Sequence, residues 1–265
     1  MKTIFLLFFS LIITRSTTVS DVQPYPDNSL YPEQYQEYGM PNPEKIWNGS
    51  EYKRAIKVIK GFYNVDKWSL PRKGSEYSGT LFERIINMEN FEIIVDESES
   101  LQERLREHDE ILNSVNQFLN LYYEPSEKEQ RFGVEVLTLL TISAKSTEYS
   151  INIIKEVQTM MSGRNMRNSD LDLMHDKLIA GVATTIEEHF DIINKDYKQY
   201  AQKDIELFSH DITKWILDVI GYLNETQLTN IINQTQDISE NHIYKNIQND
   251  FKKLLKVLKK FENQE

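Results

Sequence analysis

Histidines are the side chains in this sequence best suited to metal binding or proton transfer, and three of the five lie on apolar helical stripes. His108 lies between Leu105 and Leu112, while His175 and His189 share a second stripe. The favoured interpretation is a buried imidazole bonded to a nearby polar group. The alternative is that histidines from facing helices meet in a bundle core, where they bind a metal or sense pH.

We predict neither a metal nor another cofactor, because the paired Glu-x-x-His pattern of di-iron bundles is missing. The sequence also lacks a Gly-x-Ser-x-Gly elbow, a His-Glu-x-x-His motif, a phosphate-binding glycine loop and a dinucleotide fingerprint. It has no cysteine, which excludes a thiolate metal site and a cysteine nucleophile. A metal-dependent helical enzyme is therefore the least favoured function class. The remaining two histidines lie off the stripes and are predicted to be exposed: His210 and His242.

The longest predicted break between helices, residues 64–79, combines aromatic and basic side chains that suit an anionic or glycan ligand. The favoured interpretation is that one tryptophan pins this loop to the helices beneath it. The alternative is that the loop recognises a protein or glycan partner. The candidate ligand-binding residues are Trp68, Arg72, Lys73 and Tyr77.

The C-terminal segment 251–261 reads FKKLLKVLKKF, with apolar residues on one helical face and lysines on the other. The favoured interpretation is the last helix of a bundle, with its apolar face inward. The alternative is a basic amphipathic helix that makes a peripheral contact with an anionic membrane. The candidate membrane-contact residues are Lys252, Lys253, Lys256, Lys259 and Lys260.

Helical periodicity dominates the chain from residue 44 onward, and no segment shows convincing strand alternation. The 4-3 spacing of apolar residues between Leu101 and Tyr122, and between Phe208 and Tyr222, is typical of bundles and coiled coils. Capping boxes are predicted at Thr80, Ser100, Ser126 and Ser169. Helices are predicted over residues 48–63, 80–94, 100–123, 126–162, 169–200, 202–223 and 226–262, the last two open to kinks or breaks.

These segments predict an all-α fold, an elongated antiparallel bundle of about six or seven helices that forms one domain over residues 44–265. The apolar stretch 132–144 is predicted to form a buried central helix, with membrane insertion of the pore-forming type as the alternative. Residues 21–43 hold five of the seven prolines and four tyrosines, and this composition predicts an extended arm. That arm is either a spacer or a segment whose tyrosines dock on the bundle.

Residues 1–20 have the order of a secretory signal peptide: a basic start, an apolar run and small residues before a cleavage site near Ser20. The apolar run is too short to span a bilayer as a helix, which takes roughly 20 residues. Cleavage would change the net charge from −11 to −13, because the segment carries Lys2 and Arg15 and no acid. The protein is therefore predicted to be exported, either secreted or periplasmic.

An acidic chain repels phosphate backbones, so nucleic acid is not an expected partner. The sequence favours an exported helical-bundle binding protein without catalytic activity and with an unidentified partner. A membrane-acting helical protein is the first alternative, and a homo-oligomer is compatible with either. Three Asn-x-Ser/Thr sequons occur, at Asn48, Asn224 and Asn233, and chance accounts for such sequons in a chain this rich in Asn, Ser and Thr.

Overall fold

The computed structural model describes residues 28–92, 101–123, 130–162 and 169–262. This part of the chain is all-α and contains no strand, which confirms the predicted fold class. The α-helices are α1 (Pro32–Gln36), α2 (Gly49–Val65), α3 (Gly79–Ile85), α4 (Glu89–Glu92), α5 (Leu101–Tyr122), α6 (Gly133–Ser162), α7 (Ser169–Asp191), α8 (Gln202–Val219), α9 (Glu225–Asn241) and α10 (Lys245–Glu262).

The ten α-helices in the described residues outnumber the seven predicted ones because two predicted segments are divided and because the predicted arm contains α1. Residues 226–262 form two helices, α9 and α10, joined by residues 242–244, and residues 80–94 contain α3 and the one-turn α4. The predicted helix 169–200 continues past α7 as a π-helical segment, Ile192–Asp196, and a 3₁₀ turn, Tyr197–Gln199. Tertiary contacts, described below for His242, stabilise the break between α9 and α10.

Two asparagines, Asn48 and Asn224, cap the long helices α2 and α9. The Asn48 side chain accepts a hydrogen bond from Glu51 N at 2.9 Å, and the Glu51 carboxylate accepts one from Asn48 N at 2.9 Å. Asn224 and Gln227 make the same reciprocal pair at 2.9 and 3.0 Å. Each pair satisfies two main-chain donors that the first turn of a helix leaves free. Both asparagines also belong to Asn-x-Ser/Thr sequons. Their capping bonds give each of them a structural role in the fold.

The predicted capping box at Thr80 is wrong. α3 begins one residue earlier, at Gly79, with Ser78 at the N-cap position. The Ser78 hydroxyl makes no capping bond; it accepts a hydrogen bond from Arg72 N at 2.9 Å. The boxes predicted at Ser100 and Ser126, and the side chain of Ser169, lie outside the described residues.

Helix directions follow from the residue pairs that join neighbouring helices. α5 and α6 are antiparallel, because Arg104 contacts Glu156 while His108 contacts the Ser146 carbonyl. α9 and α10 form an antiparallel hairpin through their three-residue connection. α8 and α10 are parallel, because Glu206 pairs with Asn246 and His210 with Asp250, both forty residues later.

The predicted apolar stripes lie in the core. On α8, Phe208, Ile212, Trp215 and Val219 are all buried. Most of the apolar stretch 132–144 is buried as well, and α6 packs beside α5, α7 and α8. Within the described ranges, no helix has both the length and the apolar character needed to cross a bilayer.

The described part of the predicted arm, residues 28–43, packs against the helices. It contains α1, and Tyr35 and Met40 are buried. The Tyr35 hydroxyl donates a hydrogen bond to the Ser69 carbonyl, and the Tyr35 ring packs edge-on against Phe62 at 5.1 Å. In this segment the tyrosines dock on the bundle, which is the alternative that the sequence left open. The predicted signal peptide and the remainder of the arm, residues 1–27, lie outside the described residues.

Candidate functional site

The loop between α2 and α3 is fastened to the start of α6 by a buried carboxylate. Glu135 is 1 % exposed, and its Oε1 accepts hydrogen bonds from Arg72 Nε at 3.2 Å and Lys73 N at 2.9 Å. Lys73 Nζ donates a further bond to Thr138 Oγ1 at 3.1 Å. Two of the predicted ligand-binding residues, Arg72 and Lys73, are therefore engaged inside the fold.

The aromatic residues of the same loop occupy two different environments. Trp68 is partly buried, lies 6.4 Å from the Phe132 ring, and has the Arg131 guanidinium 4.3 Å from its centroid. Tyr77 is 40 % exposed and packs edge-on against Tyr31 at 5.1 Å. Trp68 and Tyr77 thus contact different residues, and Trp68 anchors the loop to the residues just before α6.

Sequence reasoning did not single out Glu135 as the partner of this loop. Its Oε2 and the Nη1 of Arg72 are buried and make no hydrogen bond to any described residue. A buried carboxylate within an apolar helical stretch was the available signal, because such a group requires a cation or several donors nearby.

His108 and His189 are both buried, and each contacts a main-chain carbonyl of the same helix, α6. His108 Nε2 lies 3.2 Å from the Ser146 carbonyl oxygen, and burial lowers the pKa of His108 to about 4. His189 Nδ1 lies 2.6 Å from the Thr185 carbonyl, and its Nε2 lies 3.5 Å from that of Leu140. Burial also lowers the His189 pKa. The two α6 carbonyls are six residues apart, or about 9 Å along the helix axis, so the imidazoles face different turns.

These contacts support the interpretation that was favoured from the sequence. Each histidine is a buried, neutral imidazole bonded to a main-chain carbonyl. The side chain of His175 lies outside the described part of the structure. Among the side chains that are described, no group of three or more His, Cys, Asp or Glu residues is placed to hold a metal ion.

The prediction that His242 is exposed is wrong. His242 is 3 % exposed; its Nε2 lies 2.9 Å from the Ile193 carbonyl oxygen, and its Nδ1 accepts a bond from Tyr244 N at 3.0 Å. It occupies the C-terminal cap of α9 and ties the α9–α10 connection to the π-helical segment. His210 was also predicted to be exposed. In the structure it is partly exposed, and its Nδ1 lies 3.2 Å from Asp250 Oδ2.

An open groove of about 520 Å³ lies between α7, the π-helical segment and α9. Asp191 pairs with Lys195 at 2.6 Å along one wall, and Asn194 donates to Asp237 across the groove at 3.2 Å. Next to the groove, burial and then the negative charge of Asp191 raise the pKa of Glu188 to about 7. Four of the polar lining residues are therefore paired with one another, and beside them Glu188 has a pKa near neutral pH.

The outer face of α10 carries six exposed lysines, and we call them the lysine face: Lys245, Lys252, Lys253, Lys256, Lys259 and Lys260. At about 100° per residue they fall within an arc of about 120°, and they extend roughly 22 Å along the helix. The two acids of α10, Asp250 and Glu262, project outside this arc. Sequence reasoning missed Lys245, although its position seven residues before Lys252 places it on the same side of the helix.

The opposite face of α10 packs into the bundle. Phe251, Leu254 and Leu258 are at most 2 % exposed and lie against α8 and α9. The apolar side that a membrane-inserting amphipathic helix would present is therefore covered. The favoured interpretation of this segment, a bundle helix with its lysines outward, agrees with this arrangement.

Comparisons with known protein families, with curated proteins and with solved structures found no match to this chain. The class that the fold defines is an all-α helical protein.

Proposed function

We propose that this protein is an exported, non-catalytic binding protein that attaches to an anionic partner through the lysine face of α10. The observation that carries the proposal is the concentration of six exposed lysines on one helix of a chain whose net charge is −11. A chain of that charge repels anions on average, so attraction requires a local surface of opposite sign.

Few of these lysines are neutralised within the fold. Lys253 pairs with Asp250 at 3.0 Å, Lys245 bonds to the neutral amide of Gln248, and Lys259 bonds to Gln236 among its contacts. Lys252, Lys256 and Lys260 have no ion-pair partner among the described residues. A compact set of uncompensated ammonium groups supports electrostatic attachment more strongly than lysines interspersed with acids do.

The 64–79 loop is a weaker candidate for the binding surface. Arg72 and Lys73 bond to Glu135 and Thr138, and the Trp68 ring is covered by Arg131. A partner would have to displace these internal contacts to reach the loop's charges. The lysine face needs no such rearrangement.

Another basic surface provides a matched comparison. α2 exposes Lys53, Arg54, Lys57 and Lys60, and Lys53 already pairs with Glu110 of α5 at 2.8 Å. Lys57→Glu with Lys60→Glu changes the net charge by the same amount as Lys256→Glu with Lys260→Glu. Comparing the two double variants therefore distinguishes an effect of the lysine face on binding from an effect of the net charge of the protein.

Retention on an immobilised polyanion, heparin or polyglutamate, tests the proposal at pH 7. We expect the protein to be retained despite its negative charge and to elute as salt screens the lysines. The α10 double variant should elute at clearly lower salt, and the α2 double variant should elute close to wild type. Passage of the wild-type protein without retention would contradict the proposal, as would equal loss in both variants.

A further inference from the structure

The lysine face has the chemistry of a contact with a diffuse anionic surface. α10 contains six outward lysines and no arginine. A lysine ammonium acts as a point charge, whereas the arginine fork recognises individual phosphate or carboxylate groups by paired hydrogen bonds. Six point charges over about 22 Å match a surface of mobile negative charges better than a single fixed anion.

The arc also lacks aromatic rings, which proteins that bind single-stranded nucleic acid use as stacking platforms. Between Lys259 and Lys253 around the helix, its positions carry lysine or asparagine and no aromatic side chain. Single-stranded nucleic acids are held by stacking of bases on aromatic rings, which this surface does not provide. A flat bilayer needs no stacking platform, because its attraction is summed over many headgroups.

Building on the proposed function, we propose that the partner is an anionic lipid bilayer, with α10 lying parallel to the membrane plane. Phe251, Leu254 and Leu258 stay packed against α8 and α9, so the contact is electrostatic and leaves the bundle intact. Val257, 42 % exposed at the border of the arc, adds a small apolar contact. The acidic remainder of the chain is repelled from the same surface, which selects one orientation.

Flotation of the full chain with phosphatidylcholine vesicles, with and without phosphatidylserine, tests this proposal. Residues 4–9 are the same in wild type and in every variant, so the measured quantity is the additional binding that phosphatidylserine causes. We expect Lys256→Glu with Lys260→Glu to reduce that additional binding by about tenfold or more, since each lysine near an anionic surface contributes measurably. Lys57→Glu with Lys60→Glu should leave it within about twofold of wild type.

The outcomes separate the two proposals. Retention on the immobilised polyanion without phosphatidylserine-dependent flotation overturns the bilayer assignment and leaves the proposed function standing. If the protein shows neither retention on the polyanion nor phosphatidylserine-dependent flotation, both the proposed function and the bilayer assignment are overturned. Equal loss of flotation in the α2 and α10 variants overturns the assignment to the lysine face. Lys256→Gln with Lys260→Gln, which introduces no new acid, replaces the α10 variant if circular dichroism shows that its helices are lost.

Discussion

Buried imidazoles make the stability of this protein sensitive to acid. In the folded state the pKa of His108 is lowered to about 4, while in the unfolded chain it is close to 6.5. The unfolded state therefore takes up a proton first as the pH falls, which favours unfolding. The free energy of unfolding should decrease between pH 6.5 and pH 4, by on the order of 3 kcal/mol from this one group.

Urea unfolding of wild type and His108→Gln at pH 7 and pH 4.5 measures this contribution. We expect the variant to lose less stability than wild type between the two pH values, because glutamine does not titrate. The matched control is His210→Gln, which replaces a partly exposed histidine instead of a buried one. Equal acid sensitivity in wild type and His108→Gln would show that His108 is not held neutral.

Glu188 has the opposite dependence on pH. Its pKa is raised to about 7, so the folded state keeps a proton that the unfolded chain releases near pH 4.5. Stability should therefore fall as the pH rises from 4.5 to 7. Glu188→Gln should stabilise the protein at pH 8 by on the order of 1 kcal/mol, a value reduced for partial solvent exposure, and should have little effect at pH 4.

Thermal or urea unfolding of Glu188→Gln beside Glu187→Gln tests this expectation. Glu187 is the neighbouring carboxylate and lines the groove, so it controls for the loss of one negative charge on α7. A gain in stability at pH 8 that is the same for both variants would point to general charge repulsion rather than to the burial of Glu188.

Single residues were the hardest features to predict from sequence. Periodicity predicts one helix over residues 226–262 and places His242 off its apolar stripe, which predicts an exposed ring. In the structure the helix ends at Asn241, and the His242 ring contacts the Ile193 carbonyl. The caps at Asn48 and Asn224 are not among the predicted boxes, although the sequence contains their signal. Asparagine followed three residues later by Glu or Gln can form the same reciprocal pair as a Ser/Thr box.

Two glycines of α2 are expected to respond in opposite directions to alanine. A Cβ at Gly49 would lie 2.6 Å from the Glu110 Cβ of α5, while a Cβ at Gly61 would meet no atom within 4 Å. Gly61→Ala should stabilise α2 by about 0.5–1 kcal/mol, because alanine loses less backbone entropy in a helix. Gly49→Ala should destabilise the protein by about 1–3 kcal/mol, because α2 and α5 must separate.

Chemical denaturation of the two alanine variants tests whether the close approach of α2 and α5 exists. Stabilisation by both substitutions would mean that α5 does not lie against the first turn of α2. The Gly61 variant also serves as the control for helix propensity, since both glycines lie in the same helix.

The loop between α2 and α3 should depend on its ion pair with α6. Glu135→Leu leaves the Arg72 side chain, 19 % exposed, without its carboxylate and should cost about 3 kcal/mol. Adding Arg72→Leu should recover part of that loss, because no uncompensated charge then remains. Urea unfolding of Glu135→Leu, Arg72→Leu and the double variant measures the coupling between Arg72 and Glu135. If the losses of stability in the two single variants simply add in the double variant, the two side chains are not coupled.

At the scale of helices, periodicity predicted long elements well and their ends poorly. The 4-3 spacing placed α5 and α8 within a few residues, because one continuous stripe of apolar residues faces the core in each. The break after Asn241 had no glycine or proline to mark it, and contacts of His242 and Gln248 across the turn stabilise it instead. The π-helical segment Ile192–Asp196 likewise has no signature in the sequence.

The whole molecule depends on α10 for part of its core. Ending the chain at Asn241 removes Phe251, Leu254 and Leu258 and uncovers apolar surface on α8 and α9. We expect this truncation to lower the thermal midpoint by more than about 10 °C and to increase binding of a hydrophobic dye, because burying each large apolar side chain contributes roughly 1.5–3 kcal/mol.

Lys256→Glu with Lys260→Glu is the matched control, because it reverses charge on α10 while its apolar face stays in place. Its thermal midpoint should remain near that of wild type. An unchanged midpoint in the truncated chain would mean that α10 does not cover α8 and α9. The same comparison shows why charge variants, rather than deletion of the helix, are suited to testing the lysine face.

The three-residue connection between α9 and α10 also bears on the order of events during refolding. Closing so short a loop costs little chain entropy, and contacts local in sequence tend to form early. α2 and α5, in contrast, meet through residues such as Gly49 and Glu107, 58 positions apart. In a pulse-labelling experiment, amide protons of the α9–α10 hairpin should gain protection from exchange before those of α2, so that folding begins near the C-terminal end and proceeds toward α1.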